Sequence, residues 1–153
     1  MISFADISRH VWACSPDYVE LFIQDLAALE SSKLDVPSAG PRALPPYSVE
    51  DGVAHLSIDG MIMRNVPSVL RQAGIPATST AETAKAIREA LADSEVNSIM
   101  LNIDSPGGTL AGTAELADLV YAARSAKPIA AHAQGVAASA AYWIGSQTDR
   151  FTA

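Results

Sequence analysis

The chain is poor in cysteine, in positive charge and in long apolar runs. Its single cysteine among 153 residues, Cys14, excludes an intrachain disulfide and a cysteine-rich zinc site, and reads as a small hydrophobe held in a core. Ten Lys and Arg stand against 17 Asp and Glu, a net charge of −7, with no basic cluster anywhere. Nucleic acid is bound by neutralising phosphates with such clusters, so that class of partner is set aside. No stretch approaches the roughly 18 apolar residues of a membrane span. The opening "MISFAD" lacks the basic region and apolar core of a secretory signal. The expectation is therefore no membrane partner and a cytoplasmic location. The three histidines, His10, His55 and His132, show no H-E-x-x-H spacing, and neither metal nor cofactor is expected.

What is present is a 49% hydrophobic composition, enough for one domain with a real core. Ser15 can cap a helix, Pro16 suits its first turn and Asp17 complements its dipole. Val19, Phe22, Ile23, Leu26 and Leu29 then recur at helical spacing, predicting a helix over 15–32. Pro37, Pro41, Pro45 and Pro46 follow, with Gly40 and several serines, as an extended linker. The organisation read is a helical leader (1–32), a Pro/Ser-rich linker (33–50) and a main domain (51–153).

In the main domain "VAHLSI" (53–58) is strand-like, with a turn at Asp59-Gly60 and a continuation at 61–63. Pro67, Gly74 and Pro76 make 64–78 a loop. Ser79 with Glu82 forms a capping box, opening a helix with Ala84, Ile87 and Leu91 on one stripe. A strand over 96–103 and a helix from Thr113, bearing Leu116, Leu119, Val120 and Ala123, come next. Lys127-Pro128 ends that helix. A short strand (129–133) and a helix near Ser139 complete the pattern. The alternation specifies an α/β fold with a mainly parallel sheet. The loops after its two buried strands, 104–112 and 134–139, then share one carboxyl edge. No internal repeat is visible.

Those two loops carry the chemistry. In "DSPGG" (104–108), Pro106 stiffens the backbone, and Gly107 and Gly108 permit close approach and outward-facing N–H groups that suit an anion. A tight turn with no further role is the simpler reading of such a pair. In "GVAAS" (135–139), Ser139 sits where a strand yields to a helix, with free first-turn amides nearby; a plain cap is the competing reading. Alanines at 137 and 141 replace the glycines of a G-x-S-x-G elbow, which argues against an α/β-hydrolase. Taken together the loops suggest acyl transfer: Ser139 attacks a carbonyl, and the backbone of Gly107 or Gly108 with that of Ala140 binds the oxyanion. Such donors contribute on the order of 10²–10³ each in rate.

Over roughly residues 53–153, "DSPGG" and "GVAAS" at this separation resemble the S49 peptidases, the signal peptide peptidase A family. "HVWACSPDYVELFIQDLAAL" (10–29) resembles the leader of the phage and prophage members that mature heads. The resemblance implies a ClpP/crotonase-like fold of ββα units that assembles into oligomers, and a Ser–Lys dyad. It makes Ser139 the nucleophile and the backbones of Gly107, Gly108 and Ala140 the oxyanion hole. Its protein substrates are then scaffold, portal or capsid proteins, cut inside an immature phage head. Where the family often has two glycines after the serine, this chain has Ala140-Ala141, which keeps the N–H.

The family's general-base lysine lies well downstream of the serine. Lys33, Lys85 and Lys127 all precede Ser139 and read as solvated surface charge. A lysine base must be neutral near pH 7, and lowering its pKa from about 10.4 to about 7.4 costs about 4 kcal/mol of burial. The expectation is a chain that ends before its base and is inactive by itself. His132, seven residues before Ser139, reads as a strand side chain with a local partner. Two alternatives stay open: a crotonase-like acyl-CoA enzyme, with the glycine loop holding a thioester oxygen, and a non-catalytic assembly module.

Overall fold

A computed structural model describes residues 11–31 and 46–153. The linker expected over 33–50 therefore lies largely outside the described residues, as do His10 and Lys33. Its last residues form β2 (Ser48–Glu50), which pairs antiparallel with β3 (Val53–Met63). Parallel pairing then joins β3 to β5 (Ser98–Thr109), β5 to β6 (Ile129–Ala137) and β6 to β7 (Arg150–Thr152). Two short strands extend this sheet. β1 (Trp12–Cys14) lies antiparallel beside the end of β5, and β4 (Ala77–Ser79) lies parallel beside the end of β3.

The leader helix α1 spans Pro16–Ser31, as its capping residues and apolar spacing predict. Its Phe22 and Leu26 are buried with Met61, Met63, Val66 and Leu70, and Trp12 and Cys14 pack on this cluster. The leader is thus attached to the domain through a core of its own. The larger core joins Leu56, Ile58, Leu101, Ile103 and Ile129 of the sheet to three helices. These are α3 (Thr80–Ala92), α4 (Thr113–Ala123) and α5 (Ala140–Gly145). Ile87, Leu116, Val120 and Ala123 are buried as expected, while Ala84, Leu91 and Leu119 pack partly against the core.

Several local expectations are corrected. The 64–78 loop contains α2 (Ser68–Gln72) and runs into β4. Asp59-Gly60 is not a turn but lies inside one strand: between Asp59 and Met61 the partner β5 advances three residues, from Asp104 to Gly107, so Gly60, at φ +64°, faces a bulge at Ser105-Pro106. An Asp-Gly pair serves a hairpin or a place opposite a bulge, and the parallel neighbour decides between them. The capping box forms by half. Ser79 Oγ accepts from Glu82 N–H at 3.3 Å, while the Glu82 carboxylate turns instead to Arg71, at 2.8 Å.

Lys127 is not a solvated charge. Its Nζ donates to the carbonyls of Ala90 at 2.8 Å and Asp93 at 2.6 Å. It thereby satisfies the orphan acceptors at the carboxyl end of α3, where positive charge is also favoured. Lys127→Met keeps the stem and removes the donor. It should cost about 1–2 kcal/mol in urea denaturation.

Candidate active site

The two candidate segments meet because β5 and β6 are parallel neighbours. The register carries Ser105 opposite Ala137, and Ala138 N–H donates to the Ser105 carbonyl at 3.1 Å. Beyond that point β6 ends and the chain turns through Ser139 into α5. Ser139 has φ +51° and ψ −116°, a conformation that non-glycine residues rarely adopt and that costs on the order of 1–3 kcal/mol. The residue is exposed and its side chain makes no capping bond. Ala140, the first residue of α5, is fully buried. Its N–H has no acceptor among the described residues.

Residues 104–109 are not a loop, contrary to expectation. β5 stays extended through Thr109 because both its edges are occupied there. Met61 and Ile62 pair with Gly107 and Gly108 on one side, and Cys14 and Ala13 pair with the same two residues on the other. The glycines accordingly differ in what they do. A side chain on Gly108 would run into the Ile62 backbone of β3. Gly107 has φ +106°, and a Cβ there would lie 3.0 Å from Ser139 Cβ and 3.2 Å from the Ala138 carbonyl, as well as against the Ala13 carbonyl. Gly107 is the residue that brings β5 up to the serine. Its N–H donates to Ser105 Oγ at 3.1 Å.

Two neighbouring side chains hold this geometry, and neither was singled out from the sequence. Ser105 is fully buried, and its Oγ also donates to the Gly60 carbonyl at 2.6 Å, tying the bulged stretch of β5 to β3. Asp104 Oδ1 accepts from Val136 N–H at 2.9 Å. Gly135 lies so close that a Cβ there would be 2.6 Å from the same oxygen. The carboxylate thereby fixes the run-in to Ser139. Both residues belong to the "DSPGG" motif, whose glycines drew attention away from its first two positions.

Asp59 lies in register with Asp104. Burial, and then the charge of Asp104, push the Asp59 carboxyl above its ordinary value of 3.8. A raised acid favours the neutral form in the folded state. Stability is therefore fullest below 3.8 and falls as pH rises through the raised value. Asp59→Asn removes that loss: it should raise stability at neutral pH by at most about 1 kcal/mol, the scale of exposed charges, seen as a higher Tm, and leave the melt unchanged well below 3.8.

The remaining candidates are engaged elsewhere. His132 Nδ1 lies 3.0 Å from Thr152 Oγ1, the local partner expected of it. His55 Nδ1 lies 3.4 Å from Asn102 Nδ2. Lys85 pairs with Glu89 on the surface of α3 at 3.7 Å. Among the described residues no group of His, Cys, Asp and Glu could hold a metal, and no helix is long and apolar enough to cross a membrane.

No family model matches the chain. Head-tail preconnector protein GP5 of Enterobacteria phage P21 is 29% identical over 150 residues, covering 97% of this chain and 30% of that protein. Capsid assembly protease C of Escherichia phage lambda is 29% identical over 123 residues, covering 80% of this chain and 28% of that one. Protease 4 of Salmonella typhi is 38% identical over 72 residues, 46% of this chain and 12% of the protease. The chain thus spans less than a third of the length of these curated relatives. A solved enoyl-CoA hydratase/isomerase family member aligns with a TM-score of 0.51 over 69% of this chain and 45% of its own, at 17% identity. That likeness is one of fold: it meets the α/β pattern read from the sequence and the crotonase-like fold that the resemblance implies. The resemblance to the S49 peptidases is likewise met by relatives among phage head proteins and by Protease 4.

Proposed function

We propose, from this kinship with capsid assembly protease C and Protease 4, that the chain is the nucleophile-bearing part of an S49-type serine endopeptidase that matures phage heads. One observation carries the reading: an exposed serine in a strained conformation, within van der Waals reach of a glycine on the adjacent strand. Strain of that kind is kept where it aims a reacting group. Ser139 Oγ attacks the substrate carbonyl and loses its proton to the base as the Oγ–C bond forms. The Ala140 N–H, with the backbone of Gly108, holds the developing oxyanion; the Gly107 N–H is engaged by Ser105 Oγ. The C–N bond then breaks, the proton passes to the leaving amine, and water hydrolyses the acyl ester.

The base in this reading is a lysine of the longer protein, outside the described residues. Lys85 and Lys127 are committed to α3, and neither has the buried, unpaired setting that a neutral amine requires. The 153-residue chain alone is then expected to show no turnover. Its substrates are scaffold, portal or capsid proteins, met as a homo-oligomer in the host cytoplasm inside the immature head. The leader, linker and peptidase segments read from the sequence are carried into this proposal.

Crotonase chemistry has only the fold in its favour, and it has no use for a strained, exposed serine. The test is a scaffold-cleavage assay on the full-length protein with a fluorophosphonate probe. Labelling confined to Ser139, together with scaffold cleavage, supports the reading. Equal labelling of the Ser139→Ala variant overturns it, as does measurable binding of CoA esters with no labelling.

A further inference from the structure

The antiparallel placement of β1 has a bearing on how the site is reached. Along most of its length β5 has β3 on one edge and β6 on the other. Once β6 turns away into Ser139, the edge at residues 107–109 is left without its parallel neighbour, and β1 fills that lane. Cys14 lies level with Gly107, Ala13 with Gly108 and Trp12 with Thr109. The Leu110 N–H donates to the Val11 carbonyl at 2.7 Å. Antiparallel ladders bond every second pair, so Ala13 and Gly108 form the next bonded pair, and the Gly108 N–H meets the Ala13 carbonyl. β1 runs towards the serine. Its last residue, Cys14, is level with the glycine that touches Ser139, and Cys14 Sγ donates to the Pro106 carbonyl at 3.3 Å. Pro16 then begins α1.

An extended peptide recognised by a sheet edge binds as an added strand, and β1 is the strand already laid on the edge beside Ser139. We propose that β1 is a tethered pseudosubstrate: residues 11–14 of this chain occupy the strand lane beside Ser139 that an extended peptide substrate takes, and the site opens when β1 leaves. Its catalytic meaning rests on Ser139 being the nucleophile; its occupancy of the lane does not. Two anchors hold it, the edge-on contact of Trp12 with Phe22, ring centroids 6.1 Å apart, and the burial of Phe22 and Leu26. A three-residue strand so held is displaceable, because local elements open at far less cost than the whole fold.

The experiment measures fluorescence anisotropy of a labelled peptide of residues 9–15 (RHVWACS) against the unsubstituted chain, Ala13→Pro and Phe22→Ala. Proline removes the N–H that Ala13 gives to the ladder, and Phe22→Ala loosens the anchor. If β1 is docked nine times in ten or more, its release tightens peptide binding at least about tenfold. Both variants should show that gain, and Gly107→Ala placed on either should remove it. No gain in either variant overturns the proposal, and Phe22→Ala decides alone if circular dichroism shows Ala13→Pro unfolded. Anisotropy reads occupancy of the lane and not the reactivity of Ser139. A failure of the nucleophile assignment therefore appears in probe labelling, and a failure of the lane assignment in anisotropy.

Discussion

Ser139→Ala in the full-length protein should abolish the proposed scaffold cleavage, by about 10⁴–10⁶-fold, the scale of removing a nucleophile that acts with its base as one unit. Stability should barely move, because alanine at φ +51° and ψ −116° meets the same crowding between Cβ and backbone as serine. Ser139→Gly separates function from strain. It should be equally inactive, yet more stable in urea by about 1 kcal/mol, since glycine adopts that conformation freely. A structural cap would behave otherwise. Ser139→Gly would then cost at most a few tenths of a kcal/mol and leave cleavage intact. Residual cleavage within tenfold of the unsubstituted enzyme would remove Ser139 from the mechanism.

Gly108→Ala should be among the most damaging single-methyl changes in the domain. Its Cβ has nowhere to go but into the Ile62 carbonyl, and β3 and β5 are the paired central strands on which the core is built. Prying them apart should cost about 3–5 kcal/mol, a large part of the 5–15 kcal/mol that holds a typical domain together. Gly107→Ala makes the instructive contrast. The new methyl meets the Ala13 carbonyl and Ser139 Cβ, so it displaces β1 and fills the site rather than splitting the sheet. A loss of about 1–3 kcal/mol is expected, mostly from the +106° φ, together with complete loss of cleavage. Urea midpoints in the order unsubstituted, Gly107→Ala, Gly108→Ala check the assignment. Equal midpoints for the two variants would mean that the glycines share one role.

The glycine pair shows how far sequence reasoning reaches. Two adjacent glycines after a proline read as a bend, because glycine's freedom is a local property. Whether that freedom serves a bend or close strand packing depends on neighbours about 45 and 95 residues away in the chain. Here β3 and β1 lie on either side of Gly107 and Gly108, and the strand continues through them past a bulge at Ser105-Pro106. Asp59-Gly60 reads as a turn for the same reason. Ser105 and Asp104 went unnoticed because a buried hydroxyl or a tethering carboxylate leaves no periodic signal; only the Gly60 carbonyl and the Val136 amide reveal what they do.

What the sequence determined by itself was the alternation of the main strands and helices, the parallel α/β class and the two segments proposed to bear the chemistry. Hydrophobic periodicity and capping residues act over one or two turns and need no distant partner. Tertiary structure alone decided that Ser139 and Gly107 lie side by side, and that Lys127 caps a helix. It also decided that the leader lies in the lane beside the serine. Those facts depend on strand register and on which edge of β5 stays open, and register is set by pairing across the sheet rather than along the chain.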